Sequence, residues 1–286
     1  MNDDLSNFDD NLIDNEEREK ILSNFVDKCF YNLMKTRSKE VINAFNYLTT
    51  ERKISKETID EFSLGYCQPK QELCDYIKNY GGEYLKGHER DLSYFIQGRI
   101  IVPIYDEMGE SIIGMATRPP FSGKEYTWWN LPYPFQKSYH LYMLHKSRPH
   151  IFKHNKVYLV EGYADALSLW QSGIKNVACI MGTSLSLRQV GLIIRYCNEI
   201  CFCFDVDENN SGQRAFNKSV YLINQLNVFN KISKLNLPLN YDPDDFVKKY
   251  GKEKLLSLEQ NLSDKDIDEI CNVAKSSKNI RKFNRK

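Results

Sequence analysis

The sequence predicts an α/β protein, with a helical and β-hairpin (α+β) front part followed by a parallel sheet flanked by helices. Three observations predict it. From residue 156 onward, short apolar runs of strand character alternate with amphipathic helical runs, and strands joined through helices pair in parallel. Residues 98–118, GRIIVPIYDEMGESIIGMATR, are two β-rich runs around a turn centred on Glu107–Gly109. Ahead of them, residues 16–62 carry apolar side chains at helical spacing.

The first helix is predicted over 16–35 from the stripe Ile21, Leu22, Phe25, Val26, Cys29, Phe30, Leu33 and Met34. Val41, Ile42, Phe45, Tyr47 and Leu48 predict a second. Ser55 is an N-cap for SKETIDEF, with Glu57 in the first turn favoured by the helix dipole, and this helix ends before Gly65. After the hairpin comes an aromatic and basic loop region over 119–142, punctuated by Pro119, Pro120, Pro132 and Pro134. The regular part opens with strand KVYLV and helix YADALSLWQS, stopped at Gly173. Strand NVACI then precedes helix SLRQVGLIIRY, and strand EICFCF precedes helix GQRAFNKSVYLINQL. A last strand, NKISKLNL, leads into DPDDFVKKYG. The predicted division is an acidic, disordered leader over 1–20, an N-terminal subdomain over 21–150, the parallel-sheet domain over 151–260 and a basic tail over 261–286.

The 286 residues are 42% hydrophobic, 13% aromatic and 27% charged, which excludes a wholly disordered, collagen-like or fibrous protein. No apolar run approaches the ~20 residues of a membrane helix, and the acidic start MNDDLSNFDDNL is no signal peptide. The expectation is a cytoplasmic protein with no membrane partner. Net charge is +1, but residues 1–20 hold eight acids against two bases, and residues 275–286 hold six bases and no acid. Such a basic tail is a candidate nucleic-acid contact, or a frayed terminus. The eight cysteines form no C-x-x-C pair and read as buried, reduced thiols. His140, His145, His150 and His154 are regularly spaced, yet no cysteine completes a zinc pattern, so no zinc site is expected.

Function groups in parallel α/β sheets collect where strands end. Glu161 directly follows KVYLV, and Asp165 lies about one helical turn beyond it. Asp205 and Asp207 end the run EICFCFDVD, and residues two apart in extended chain face one side. Asp242 and Asp244 repeat that arrangement around Pro243. Each pair alone reads as helix N-caps. Six carboxylates in one cleft repel one another unless a cation neutralises them, and an all-oxygen donor set favours Mg²⁺ or Mn²⁺, with two ions expected. Paired ions activate an attacking hydroxyl and stabilise a leaving phosphate oxygen, so the chemistry implied is phosphoryl or nucleotidyl transfer. The motifs of P-loop ATPases, dinucleotide-dependent enzymes, serine hydrolases and zincins are absent from the sequence.

Glu161-Gly162-Tyr163-Ala164-Asp165, Gly182-Thr183-Ser184, Phe204-Asp205-Val206-Asp207 and Asp242-Pro243-Asp244 together resemble the toprim core of bacterial DnaG-type primases, a Rossmann-like parallel-sheet domain. Upstream, Phe62–Tyr66 resembles the family's F-x-L-G-Y segment. Gly98-Arg99 with Ile101–Ile104 resembles its GR…PI hairpin, and Gln136-Lys137 before Leu141-Tyr142 resembles its HK…LYGL segment. The likeness runs from about residue 40 to 260. It implies the RNA-polymerase domain of a primase, making short RNA primers on single-stranded DNA during replication. Glu161, Asp205 and Asp207 would be catalytic, and these with Asp165, Asp242 and Asp244 would hold the metals and the nucleotide's phosphates. Arg99, Arg118, Lys124 and Lys137 would contact nucleotide or template. Tyr126, Trp128, Trp129, Tyr133 and Phe135 are candidates for stacking on unpaired bases, or a local apolar cluster. After Asp207, ENNSGQRA departs from the family's tighter D-E-A-G-R-x-A spacing around Arg214. Family members usually add a zinc ribbon and a helicase-docking domain. Neither is seen here, so the resemblance implies a partner helicase, a separate zinc-ribbon protein, or a reduced phage-type primase in an infected bacterial cell. Two further functions use the same residues: a toprim nuclease that cuts rather than joins, and a non-catalytic module that holds single-stranded DNA or a helicase.

Overall fold

The computed structural model describes residues 15–68, 96–121, 129–131, 135–206 and 208–283. Within it the chain forms two compact units that interleave in sequence. The first takes Met1–Glu51, Ile59–Ile104 and Ser111–Pro132, and the second takes Arg52–Thr58, Tyr105–Glu110 and Tyr133–Lys286.

The first unit is helical, then β. Helix α1 (Asn15–Lys35) buries Leu22, Phe25, Val26, Cys29 and Leu33, the stripe expected from the sequence. Residues 15–20, expected in the leader, are its opening turns. Helix α2 (Lys39–Asn46) is capped by Ser38, whose Oγ accepts the Val41 N–H, and it runs on into a π turn, Tyr47–Glu51. Ser55, which with the rest of residues 52–58 belongs to the second unit, caps α3 (Lys56–Glu61) in the same way, accepting the Thr58 N–H at 3.1 Å. Strands β1 (Gly65–Cys67), β2 (Arg99–Tyr105), β3 (Ile112–Arg118) and β4 (Trp129–Leu131) form one sheet in that order. β1 pairs antiparallel with β2, and β3 with β4. The short strand β4 and a 3₁₀ turn at Lys137–Tyr139 lie inside the region expected to be loop. Pairing with the edge of β3 supplies the hydrogen bonds that local sequence does not announce.

The second unit holds the parallel sheet. β5 (Lys156–Val160), β6 (Val177–Cys179), β7 (Glu199–Phe202) and β8 (Lys231–Leu235) are parallel, β9 (Glu259–Asn261) is antiparallel, and the order is β6-β5-β7-β8-β9. Connecting them are α4 (Leu144–His154) before β5, α5 (Tyr163–Gln171), α6 (Leu187–Ile193), α7 (Ser211–Leu226), α8 (Pro243–Tyr250) and α9 (Lys252–Leu256). The core runs through Val157, Leu159, Ala178, Ile200, Phe202, Phe216 and Val220. Each fully buried large apolar side chain there contributes on the order of 1.5–3 kcal/mol. A final helix, α10 (Asp264–Phe283), stands where a tail was expected. Its first half is amphipathic, with Ile267 and Ile270 against the core and Cys271 and Ala274 buried, and that apolar face holds the helix down. No helix among the described residues is long and apolar enough to cross a membrane. Cys29, Cys67, Cys179, Cys197, Cys201, Cys203 and Cys271 are free and buried.

The spaced histidines face different neighbours. His140 stacks on Phe135 at 5.4 Å, His150 meets the Trp170 ring edge-on at 5.8 Å, and His145 lies 4.7 Å from the Tyr105 ring. Burial holds the His145 imidazole down at a pKa of about 4. The unfolded chain regains the ordinary value, 6.5, so between pH 6.5 and about 4 it binds a proton the folded chain refuses. Stability is therefore expected to fall as pH drops through that window, by about 1–2 kcal/mol after discounting for solvent screening of a partly exposed ring. Urea melts of His145→Gln should lack this component; an unchanged pH profile would assign the acid sensitivity elsewhere.

Candidate active site

The strand order decides where the site is. The chain leaves β5 to one side to reach β6 and crosses to the other side to form β7, so the crevice opens beyond the carboxyl ends of β5 and β7. Glu161 is the first residue after β5, and Asp205 lies just past the end of β7. Asp165 sits in the first turn of α5. A short antiparallel bridge brings in the third pair: the Val206 N–H donates to the Tyr241 carbonyl at 3.2 Å, and the Asn240 N–H donates to the Val206 carbonyl at 2.7 Å. The residue after Asp205 is thereby laid beside the residue before Asp242.

Two glycines make the acids' packing feasible. A Cβ on Gly162 would stand 2.8 Å from the Asp165 Oδ2, because that carboxylate curls back over the turn joining β5 to α5. A Cβ on Gly212 would stand 2.1 Å from the Asp205 carbonyl oxygen and 3.0 Å from Glu161 Oε1. The first turn of α7 thus closes directly against two of the acids, and no side chain fits between them.

Asp242 is the N-cap of α8: its Oδ1 accepts the Asp245 N–H at 2.6 Å, and Pro243 occupies the first helical position. Oxygens of Asp242, Asp244 and Asp245 fall within 4.8 Å of one another. Asp244 is only 1% exposed and densely partnered. Lys248 Nζ lies 2.5 Å from its Oδ1, Arg52 reaches its Oδ2 at 3.6 Å, and the Ser168 hydroxyl donates to its Oδ1. Its own N–H donates to Asp165 Oδ1 at 3.1 Å, so α5 and α8 are joined acid to acid. Burial, and then the charges of Asp205, Asp242 and Asp244, hold the Asp165 carboxyl well above the ordinary carboxylate range. Burial likewise raises Asp242, against the opposing pull of the Asp245 N–H and the Lys248 charge. The structure therefore brings Glu161, Asp165, Asp205, Asp242 and Asp244 together.

The basic candidates divide. Lys137 belongs to the second unit, exposed on its 3₁₀ turn, with its side chain running over Gly182 in the loop after β6. Arg99 and Arg118 belong to the first unit, at the end of the hairpin away from its turn. Both are buried, and Arg99 donates through Nε to the Thr117 hydroxyl at 3.1 Å and through Nη2 to the Thr117 carbonyl at 3.3 Å. Asp207, Lys124, Tyr126, Trp128 and Tyr133 lie outside the described residues. Arg214 is exposed on α7, donating to the Asn209 carbonyl at the helix start.

Sequence reasoning missed Gly212, Ser168, Arg52, Lys248 and Asp245. Lys248 carried a signal, since it stands four residues after Asp244 on one helix face. Ser168 and Arg52 carried none, because their partner Asp244 is distant in the chain, and Gly212 carried none because its approach to Asp205 and Glu161 depends on how the chain turns into α7.

Residues 29–148 match the family described as DNA primase catalytic core, N-terminal domain, and residues 158–247 match the family described as toprim-like. The chain is 32% identical over 235 residues to a DNA primase of Enterococcus faecalis, covering 75% of this chain and 36% of that protein. It is 31% identical over 220 residues to a DNA primase of Aquifex aeolicus, covering 72% of this chain and 43% of that protein. The chain therefore spans about two fifths of the length of these relatives. In structure it is similar to the zinc-binding and RNA polymerase domains of the Aquifex aeolicus primase, with a TM-score of 0.69, 26% identity and coverage of 87% of this chain and 63% of that one.

Proposed function

The chain belongs to the DnaG-type primases, carrying their catalytic core, and on that premise we propose that it synthesises short RNA primers on single-stranded DNA by metal-dependent nucleotidyl transfer. It acts in this reading as the DNA-directed RNA polymerase of replication, on ribonucleoside triphosphates, in the cytoplasm of a bacterial or phage-infected bacterial cell. A replicative helicase and a separate zinc-ribbon protein are its proposed partners. The observation that carries the reading is the Val206–Tyr241 bridge, which sets Asp205 beside Asp242 at the crevice that Glu161 and Asp165 also enter.

These residues suit a hard divalent cation. The donors are carboxylate oxygens, and Asp165 and Asp242 are held toward the protonated state by burial and by neighbouring acids, a cost that a cation relieves. Glu161, Asp165, Asp205, Asp207 and Asp242 are the proposed ligands for two Mg²⁺ or Mn²⁺ ions; Asp244 stays in the acid set with its charge already met by Lys248 and Arg52. Such ions, when bound, supply the charge that activates the attacking hydroxyl and stabilises the departing phosphate oxygen. The chain's own groups do the rest. The first turn of α7 fixes the spacing of Glu161 and Asp205, the cap at Asp242 aims that carboxylate, and Lys137 offers a flexible ammonium for phosphate. Arg99, Arg118 and Lys124 are proposed contacts to template or nucleotide.

The test is incubation of the chain with single-stranded DNA, labelled ribonucleotides and Mg²⁺ or Mn²⁺. Labelled oligoribonucleotides are expected; degradation of the template with no incorporation would replace this reading with a nuclease. Lys137→Ala should weaken binding of nucleotide or template about tenfold and reduce the salt slope of template binding by about 1. Unchanged binding would make Lys137 an ordinary surface lysine.

A further inference from the structure

Lys137 is exposed, yet the turn that carries it is held from beneath by a buried side chain. Gln189, on α6, is 1% exposed. Its Nε2 donates to the carbonyls of Lys137 at 3.3 Å, His140 at 2.9 Å and Ile180 at 3.0 Å. The first two are the ends of the Lys137–Tyr139 turn, and the third is where the chain leaves β6 for the loop containing Gly182. Lys137 lies over that same loop: a Cβ on Gly182 would stand 3.7 Å from Lys137 Cε and 3.8 Å from Nζ. One amide thus ties together the backbone carrying the lysine and the loop beneath its side chain.

The amide is itself held. Gln189 Oε1 accepts the Ser186 N–H at 3.0 Å, and the Gln189 N–H donates to Ser186 Oγ at 3.1 Å, a complete capping box at the start of α6. The Ser186 hydroxyl donates in turn to the Ser138 carbonyl, and the Arg188 guanidinium covers the Tyr139 ring at 5.0 Å. A capping box needs only its own two bonds. Here its side chains also reach three carbonyls of residues 137–140, some fifty residues away in the chain. A long, flexible lysine aimed at a mobile anion gains from having its backbone and the surface under its stem fixed beforehand, since less freedom remains to be lost on contact.

We propose that Gln189 is the positioning residue for Lys137, acting on the phosphates of nucleotide and template only through the lysine it aims. This rests on the primase reading for Lys137. A merely structural glutamine would lower stability and activity alike, whatever residue stands at 137. A positioning residue loses its effect once the lysine is gone.

The experiment is a double-mutant cycle with Gln189→Met, which keeps length and removes the donor, in the native and the Lys137→Ala backgrounds. Primer synthesis is measured at varied ribonucleotide concentration, together with anisotropy of a fluorescent oligothymidylate. In the native background Gln189→Met should raise KM for ribonucleotide about tenfold, with kcat falling less than threefold. In the Lys137→Ala background it should change neither by more than twofold. Ser186→Ala, a milder cut at the same turn, should follow the same pattern and serves as the measure should Gln189→Met fail to fold. Equal losses in both backgrounds would overturn the proposal. If the native chain makes no primer, the primase reading fails on its own, and the cycle is read from oligothymidylate binding by the same criterion.

Discussion

Asp205→Asn is expected to abolish primer synthesis, with a loss of about 10³-fold or more, equivalent to about 4 kcal/mol of transition-state stabilisation. Asp205 lies at the switch point, and its backbone is pressed against Gly212, so the amide replaces the carboxylate without moving it. The fold should not suffer. Asp205 is the leading neighbouring charge that raises Asp165, so removing it relieves a buried like-charge cluster, and metal-free melts should show equal or higher stability. Mg²⁺ should then separate the two proteins: a ligand at 100 times its Kd stabilises by about 2.7 kcal/mol, and the variant should lose most of that gain. Glu161→Gln should behave alike. Wild-type synthesis by either variant would remove that acid from the site.

Asp244→Asn is expected to act on stability instead. The carboxylate is buried, and Lys248 and Arg52 both point at it with side chains only 12% and 26% exposed. An asparagine still accepts from Ser168 but removes the carboxylate charge that Lys248 and Arg52 both face. Breaking a buried pair from one side costs about 3–5 kcal/mol, or a fall in Tm of roughly 10 °C for a unit of this size. Removing both ends together should cost much less, because Asp244→Leu with Lys248→Met leaves no orphaned charge in the interior and Arg52 can turn to solvent. Thermal melts of the single and double variants decide it. If Asp244→Asn melts within a degree of the native chain, the network is not what holds α8 to α5.

These two acids look identical in the sequence, each in a D-x-D or D-P-D pair beyond a strand, and they differ only in what surrounds them. The strands and helices of the sheet domain were legible because periodicity and caps are local: Ser55, Ser186 and Asp242 act within three residues of themselves. The terminal helix was hidden by its own basic charge, since the face that anchors it, through Cys271 and Ala274, has meaning only against α7. Strand β4 was hidden for a like reason, its bonds lying across the sheet on β3.

By itself, the chain's residue order determined the α/β class and the alternation of strands and helices, and it pointed to six acids, at 161, 165, 205, 207, 242 and 244, as one candidate set, because strand ends and charge repulsion follow from neighbours in sequence. Only the tertiary structure decided that Gly212 closes on Asp205 and Glu161, that Arg52 joins Lys248 at Asp244, and that Gln189 grips the Lys137 turn. The Arg52 and Gln189 contacts join segments tens of residues apart, and no local propensity encodes which buried donor will find which acceptor.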